Sequence, residues 1–176
     1  MSGHNKWSKV KNKKAVSDAK KSKIFSKYSR LITLEAKKAN GNTSSPGLKS
    51  IIEKARAANM PSDNIDRAVK KATEAGSQNM EVIVYEAYGP GGVALIIDAL
   101  TDNRNKAAQE IKFILSEHGS ALAAPGSASW AFEKTHEGWM PKTMAPISEE
   151  DGAKLEALIE ALEENDEVQE IFTNAE

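Results

Sequence analysis

The most reactive and most charged side chains crowd into one end of the chain. Residues 1–38 hold twelve Lys and Arg against only Asp18 and Glu35. Nine of these cations, Lys6, Lys9, Lys11, Lys13, Lys14, Lys20, Lys21, Lys23 and Lys27, fall within a single short stretch. An ammonium on a long flexible stem neutralises a phosphate without demanding a fixed geometry. Lys6, Lys9, Lys13, Lys20, Lys23 and Lys27 keep spacings of three, four and seven, so a helical arm would present them as one ridge. Trp7 sits among them. An aromatic between lysines can stack on an unpaired base, worth ~1–3 kcal/mol, or it can anchor the arm on a folded body. His4 could donate to a phosphate. The competing readings are a solvated charged tail, or an arm docked on the chain's own acidic half.

That acidic half is real, because the net charge of −1 conceals a strong polarity. Residues 1–38 carry +10, residues 39–78 carry +2 and residues 79–176 carry −13. One end seeks polyanions and the other repels them. Two further places could meet an anion. Thr101-Asp102-Asn103-Arg104-Asn105-Lys106 joins a strand end to a helix start, where backbone N–H groups point outward and Arg104 and Lys106 stand beside them. Capping by Thr101 or Asp102 is the plainer alternative. Gly89-Pro90-Gly91-Gly92 could cradle a phosphate, but no Lys-Ser/Thr follows, and a hairpin turn is the better reading.

Enzymatic chemistry finds little support. His4, His118 and His136 lack metal-ligand spacing, and no Ser or Asp is recognisably paired with them. Glu149-Glu150-Asp151 opens a helix, where acids complement the macrodipole. No cofactor and no metal is expected. The chain has no cysteine, which rules out disulfides and thiolate zinc sites. Its longest clean apolar run, Val93–Ile97, is far too short to cross a bilayer, and the basic N-terminus lacks the apolar stretch of a signal peptide. The cytoplasm is the expected location, with no membrane partner.

The chain divides into three parts: a basic arm (1–22), a helical bundle (23–78) and an α+β domain (79–176). In the bundle, Ile24, Tyr28, Leu31 and Glu35, widened by Phe25 and Ile32, predict a first helix whose apolar stripe ends near Leu34. Asn40-Gly41-Asn42 stops it, and Ser44-Ser45-Pro46-Gly47 opens a second helix carrying Leu48, Ile51, Ile52, Ala55 and Ala58. Asn59-Met60-Pro61 turns the chain, and Ser62 is the expected cap of a third helix burying Ile65, Ala68, Val69 and Ala72. Beyond Gly76, Met80–Tyr88 and Val93–Leu100 read as a hairpin. A helix follows over about Asn103–His118, then strands over Ser127–Glu133 and Pro141–Ile147, a helix over Ser148–Glu164 and a closing strand over Val168–Thr173. The fold class is α+β: a three-helix bundle followed by an antiparallel sheet with two helices.

Several long stretches resemble the YebC/PmpR family, which includes the mitochondrial translational activator of cytochrome oxidase. They are Gly3-His4-Asn5-Lys6-Trp7, with Lys11, Lys14, Asp18, Lys20, Lys23, Phe25 and Lys27; Ala57-Ala58-Asn59-Met60-Pro61, with Asn64-Ile65 and Arg67-Ala68; and Tyr85-Glu86 with Tyr88-Gly89-Pro90-Gly91-Gly92-Val93-Ala94. Leu100-Thr101-Asp102-Asn103-Arg104-Asn105, Gly126-Ser127 to Phe132-Glu133, Met140-Pro141-Lys142-Thr143 and Asp166-Glu167-Val168-Gln169 to Thr173-Asn174 complete the likeness. The resemblance implies three domains, with a second α/β domain inserted into the other. Here only a short connector stands near 134–139, so the inserted domain is expected to be missing. It also implies a role in gene expression, either as a DNA-binding transcriptional regulator or as a ribosome-associated translation factor that aids difficult stretches such as consecutive prolines.

The turn between the second and third helices has helix-turn-helix spacing but lacks the usual Gly. The third helix would lead into a major groove with Ser62, Asp63, Asn64 and Asp66 before its first base, Arg67. Two carboxylates facing a phosphate-rimmed groove are unfavourable. A Lys/Trp arm suits irregular RNA with splayed bases better. The expected partner is therefore ribosomal RNA on the ribosome, with DNA second and a protein third.

Overall fold

A computed structural model of the chain describes residues 18–75 and 79–176. The described residues divide into two compact units, one of 18–75, 79–81 and 100–102, the other of 82–99 and 103–176.

The first unit is helical. Helix α1 spans Asp18–Lys38, α2 spans Pro46–Ala57 and α3 spans Ser62–Thr73. Helix α1 packs through Phe25, Tyr28, Ile32 and Ala36 onto Leu48 and Ile52 of α2 and Ile65, Ala68 and Ala72 of α3. The stripe is thus centred on Ile32 rather than on Leu31 and Glu35, and it runs on past Leu34 to Ala36. Alanines at 36, 68 and 72 let α1 and α3 approach closely, and the Thr33 hydroxyl bridges them by donating to the Ala68 carbonyl at 3.2 Å. Helix α1 stops because Asn40 and Gly41 both take left-handed backbone, φ +51° and +79°. The Gly41 N–H then closes onto the Ala36 carbonyl at 2.8 Å, satisfying an orphan acceptor. Between α2 and α3, Asn59 at φ +65° supplies the left-handed residue that a glycine often provides. The N-cap of α3 is Pro61, and Ser62 is its first helical residue, not its cap.

The second unit is α+β. Strands β1 (Glu81–Tyr88), β2 (Ala94–Thr101), β3 (Ala121–Ala123) and β6 (Val168–Thr173) form a sheet in the order β3-β1-β2-β6. Strands β4 (Phe132–Thr135) and β5 (Gly138–Pro141) form a separate hairpin. Helices α4 (Arg104–Glu117) and α5 (Glu149–Glu163) complete the unit. Strand β2 is buried on both faces, which its nearly unbroken apolar sequence requires. Leu95, Ile97 and Ala99 meet Ile111 and Leu115 of α4 and Leu155, Leu158 and Leu162 of α5. Ala94 and Ile96 meet Ala131, Phe132, Trp139 and Phe172 on the opposite face.

Strand expectations over 127–147 need correction. Ser129–Ala131 is a 3-10 turn, so β4 begins only at Phe132. The next strand ends at Pro141, and Ala145 makes a lone parallel bridge to Ala175. Strand β3 escapes a sequence reading because its three residues, Ala121–Ala123, are too few to show a period. The β4–β5 turn is tightly fitted: Gly138 lies at φ +114°, and a Cβ there would come within 2.5 Å of the Phe172 ring. Only glycine fits both conditions.

Candidate nucleic-acid interface

His4, Lys6, Trp7, Lys9, Lys11, Lys13 and Lys14 lie outside the described residues. Lys20, Lys21, Lys23 and Lys27 lie on α1, which begins at Asp18, inside the segment assigned to the arm. At ~100° per residue, Lys20, Lys23, Lys27, Arg30 and Lys37 fall within an arc of about 100°. That arc is opposite Phe25, Tyr28, Ile32 and Ala36, the residues packed into the bundle. A basic face therefore runs the length of the helix, as the lysine spacing leads one to expect of an amphipathic segment. Lys21 stands 3.9 Å from Asp18, and Lys38 stands 2.9 Å from Glu35. Both are surface pairs, which contribute little to stability and yield readily to a polyanion.

Arg104 and Lys106 do sit at the start of α4, as expected. The cap is Asn103, not Thr101 or Asp102: its side-chain oxygen accepts from the Lys106 N–H at 3.1 Å. The Lys106 ammonium faces two carboxylates, Glu167 at 3.5 Å and Glu110 at 3.9 Å. Asn165 ties the pair together by donating to Glu110 at 2.8 Å and accepting from the Glu167 N–H at 2.9 Å. A phosphate reaching Lys106 would have to compete with both acids. Gly89–Gly92 makes no cradle either. Its Gly89 and Gly92 N–H groups donate to Val93 and Gly89 carbonyls. Asp151 lies 3.2 Å from where a Gly91 Cβ would stand, so the loop already faces a carboxylate.

Two features were not anticipated from sequence. Between α1 and α3 lies a groove of about 1030 Å³ whose lining includes Ser22, Ser26, Ser29, Asn64, Arg67 and Lys71. Their spacings, 22-26-29 and 64-67-71, are helical on each segment, but nothing in one sequence says that the two rows face each other. The second feature is a carboxylate clamp in the α+β unit. Glu86, on β1 and 8% exposed, accepts N–H bonds from Gly126 at 2.6 Å, Ala128 at 3.0 Å and Ser129 at 2.6 Å. Burial pushes its carboxyl up, but the donations from Gly126, Ser129 and Ala128 outweigh that and hold it below the usual glutamate range. The clamp fixes the loop that carries Trp130, whose indole donates to the Tyr88 hydroxyl at 3.0 Å while Tyr88 donates to the Ser127 carbonyl. Nearby, burial raises the Asp98 carboxyl, partly offset by the Trp139 indole at 3.3 Å and by Lys134.

Among the described residues, no cluster of His, Cys, Asp or Glu is placed to hold a metal ion, and no helix is long and apolar enough to cross a membrane. What they do form is a helical unit with a basic α1 and an acidic α+β unit, an arrangement suited to binding polyanions chiefly through the first. Comparison with known proteins gives this class a family. Residues 5–75 match the TACO1/YebC protein N-terminal domain, and residues 79–138 and 133–175 match the TACO1/YebC second and third domain. The chain belongs to the TACO1/YebC family. A probable transcriptional regulatory protein of Fervidobacterium nodosum is 38% identical over 235 positions, covering 99% of this chain and 93% of the relative. One from Petrotoga mobilis is 46% identical over 179 positions, covering 100% and 71%. The crystal structure of a conserved hypothetical protein from Aquifex aeolicus superposes with a TM-score of 0.81 at 30% identity, over 90% of this chain and 91% of that one.

Proposed function

We propose that the chain is a non-enzymatic, nucleic-acid-binding regulator of gene expression that acts on the ribosome. In this reading the basic arm and the basic face of α1 grip ribosomal RNA, and the factor aids synthesis of difficult stretches such as consecutive prolines. The observation that carries the reading is the charge division: +10 over residues 1–38 against −13 over residues 79–176. The start of α3 supports RNA over duplex DNA, since Asp63 and Asp66 are both exposed where a recognition helix would meet phosphates. The transcriptional alternative is favoured by the names of the relatives from Fervidobacterium nodosum and Petrotoga mobilis. Of the residues expected to contact RNA, Arg104 keeps its place in the proposal, whereas Lys106 is the weakest member because of Glu167 and Glu110.

The proposal also takes the chain as a short family member without the inserted domain. The 235 aligned positions with the Fervidobacterium nodosum relative exceed this chain's 176 residues, and the two segments of the second match meet at 133–138. The β4–β5 hairpin closes at that point, with Thr135 paired to Gly138.

Trp7 discriminates between the two polymers. Stacking needs an unpaired base, which folded ribosomal RNA offers and intact duplex DNA hides. Trp7→Ala is expected to cost ~1–3 kcal/mol on ribosomal RNA and much less on duplex DNA, measured by parallel titrations. Equal losses on both would assign Trp7 to positioning the arm. A loss confined to one DNA sequence would move the transcriptional alternative to first place.

A further inference from the structure

The geometry points to the α1–α3 groove as a binding site for the backbone of single-stranded RNA, an inference that rests on the nucleic-acid reading above. Arg67 and Lys71, both exposed, stand one turn apart on α3 and line the groove. Across from them, α1 contributes the hydroxyls of Ser22, Ser26 and Ser29, and Asn64 adds an amide whose oxygen accepts from the Arg67 guanidinium at 3.4 Å. Arginine, lysine, serine and asparagine together are the side chains that contact phosphate and sugar.

Shape selects the strand. A protein reads a duplex by inserting a projecting helix or ribbon into a groove about 12 Å wide. The α1–α3 surface is the reverse: a concave channel between two helices joined by the Thr33–Ala68 hydrogen bond. A single strand can lie in such a channel, whereas a duplex would touch only its rims. The hydroxyl row also favours RNA, because a ribose 2′-OH both donates and accepts and deoxyribose has nothing to offer a serine there. Acids line the groove as well. Asp18, the first residue of α1, is drawn toward Lys21 at 3.9 Å; Glu74 caps the end of α3; and Asp102 also lines the groove. Lys21 and Arg30 line the groove too, so four cations there stand against these three acids.

The test uses the full chain with a labelled oligouridine of about twelve nucleotides, the DNA counterpart and an RNA duplex of equal length. Arg67→Gln with Lys71→Gln should weaken single-strand binding about tenfold or more. It should also make the log affinity–log salt slope shallower by about 1.4, since each single-strand phosphate contact carries ~0.7. Duplex binding should be unchanged. Ser22→Ala with Ser26→Ala should narrow the preference for RNA over DNA. Thermal unfolding of each variant checks that the exposed substitutions leave the bundle folded. An unchanged slope, or equal loss on strand and duplex, overturns the inference. A companion variant with Lys6, Lys9, Lys13 and Lys14 changed to Gln separates the two claims. If it loses binding while the Arg67/Lys71 variant binds like wild type, the groove is refuted and the arm stands. If wild type binds none of the probes, both fall.

Discussion

Affinity for ribosomal RNA is expected to fall about 10³-fold when salt rises from about 50 to 200 mM. The figure follows from counterion release: about six arm and α1 lysines on phosphates set a log–log slope between ~4 and ~5, depending on how much of the target is duplex. The α+β unit carries the opposite net charge and adds only the Arg104 contact, too little to produce so steep a dependence. A nearly flat titration would remove the lysines from the binding account. Replacing Lys6, Lys9, Lys13 and Lys14 by Gln should reduce the slope roughly in proportion, by ~0.7–0.9 for each contact removed.

Glu86→Ala should be the most damaging single change to the α+β unit outside its apolar core. It would leave the N–H groups of Gly126, Ala128 and Ser129 without the carboxylate they now share. Of the three donors only Ala128 is buried, Ser129 being half-buried and Gly126 exposed. A buried donor stripped of its acceptor costs about 1–3 kcal/mol, so a loss of that size is expected from equilibrium unfolding. Glu86→Gln keeps one acceptor oxygen and should fall between. The same clamp dictates a pH dependence. Because the folded carboxyl titrates below its usual range, its contribution is complete above an unfolded value of about 4.3 and is lost as pH falls through the depressed folded value. Wild type and Glu86→Gln should therefore converge in stability under acid and diverge above pH ~5. Parallel curves at every pH would show that the carboxylate's charge is not what holds the loop.

Periodic segments were legible in the sequence, and short or tertiary features were not. The helices of the bundle, α4, α5, β2 and β6 announce themselves through apolar spacing. Strand β3 does not, and the Ser129–Ala131 turn passes for a strand because Ser127–Glu133 is short and mixed. The centre of the α1 stripe was misplaced by one residue because Glu35 fits the helical period as well as Ala36 does. Only packing against Leu48 and Ala68 decides between them. For the candidate site, composition located the cations and the resemblance located Arg104, yet neither could show that Lys106 faces Glu167 and Glu110. The Glu110 contact is one helical turn away, but the Glu167 contact joins residues 61 positions apart, and the α1–α3 groove joins rows about forty apart. Distances of that kind are set by the fold, and no local pattern records them.

Co-sedimentation with ribosomes separates ribosomal binding from DNA binding. Wild type and the Lys6/Lys9/Lys13/Lys14→Gln variant are pelleted with ribosomes, and their binding to duplex DNA is measured at the same salt. The ribosomal reading predicts that wild type pellets with ribosomes, prefers them to DNA, and loses most of that association when the four lysines are neutralised. Wild-type protein that stays in the supernatant while binding duplex DNA tightly would contradict it.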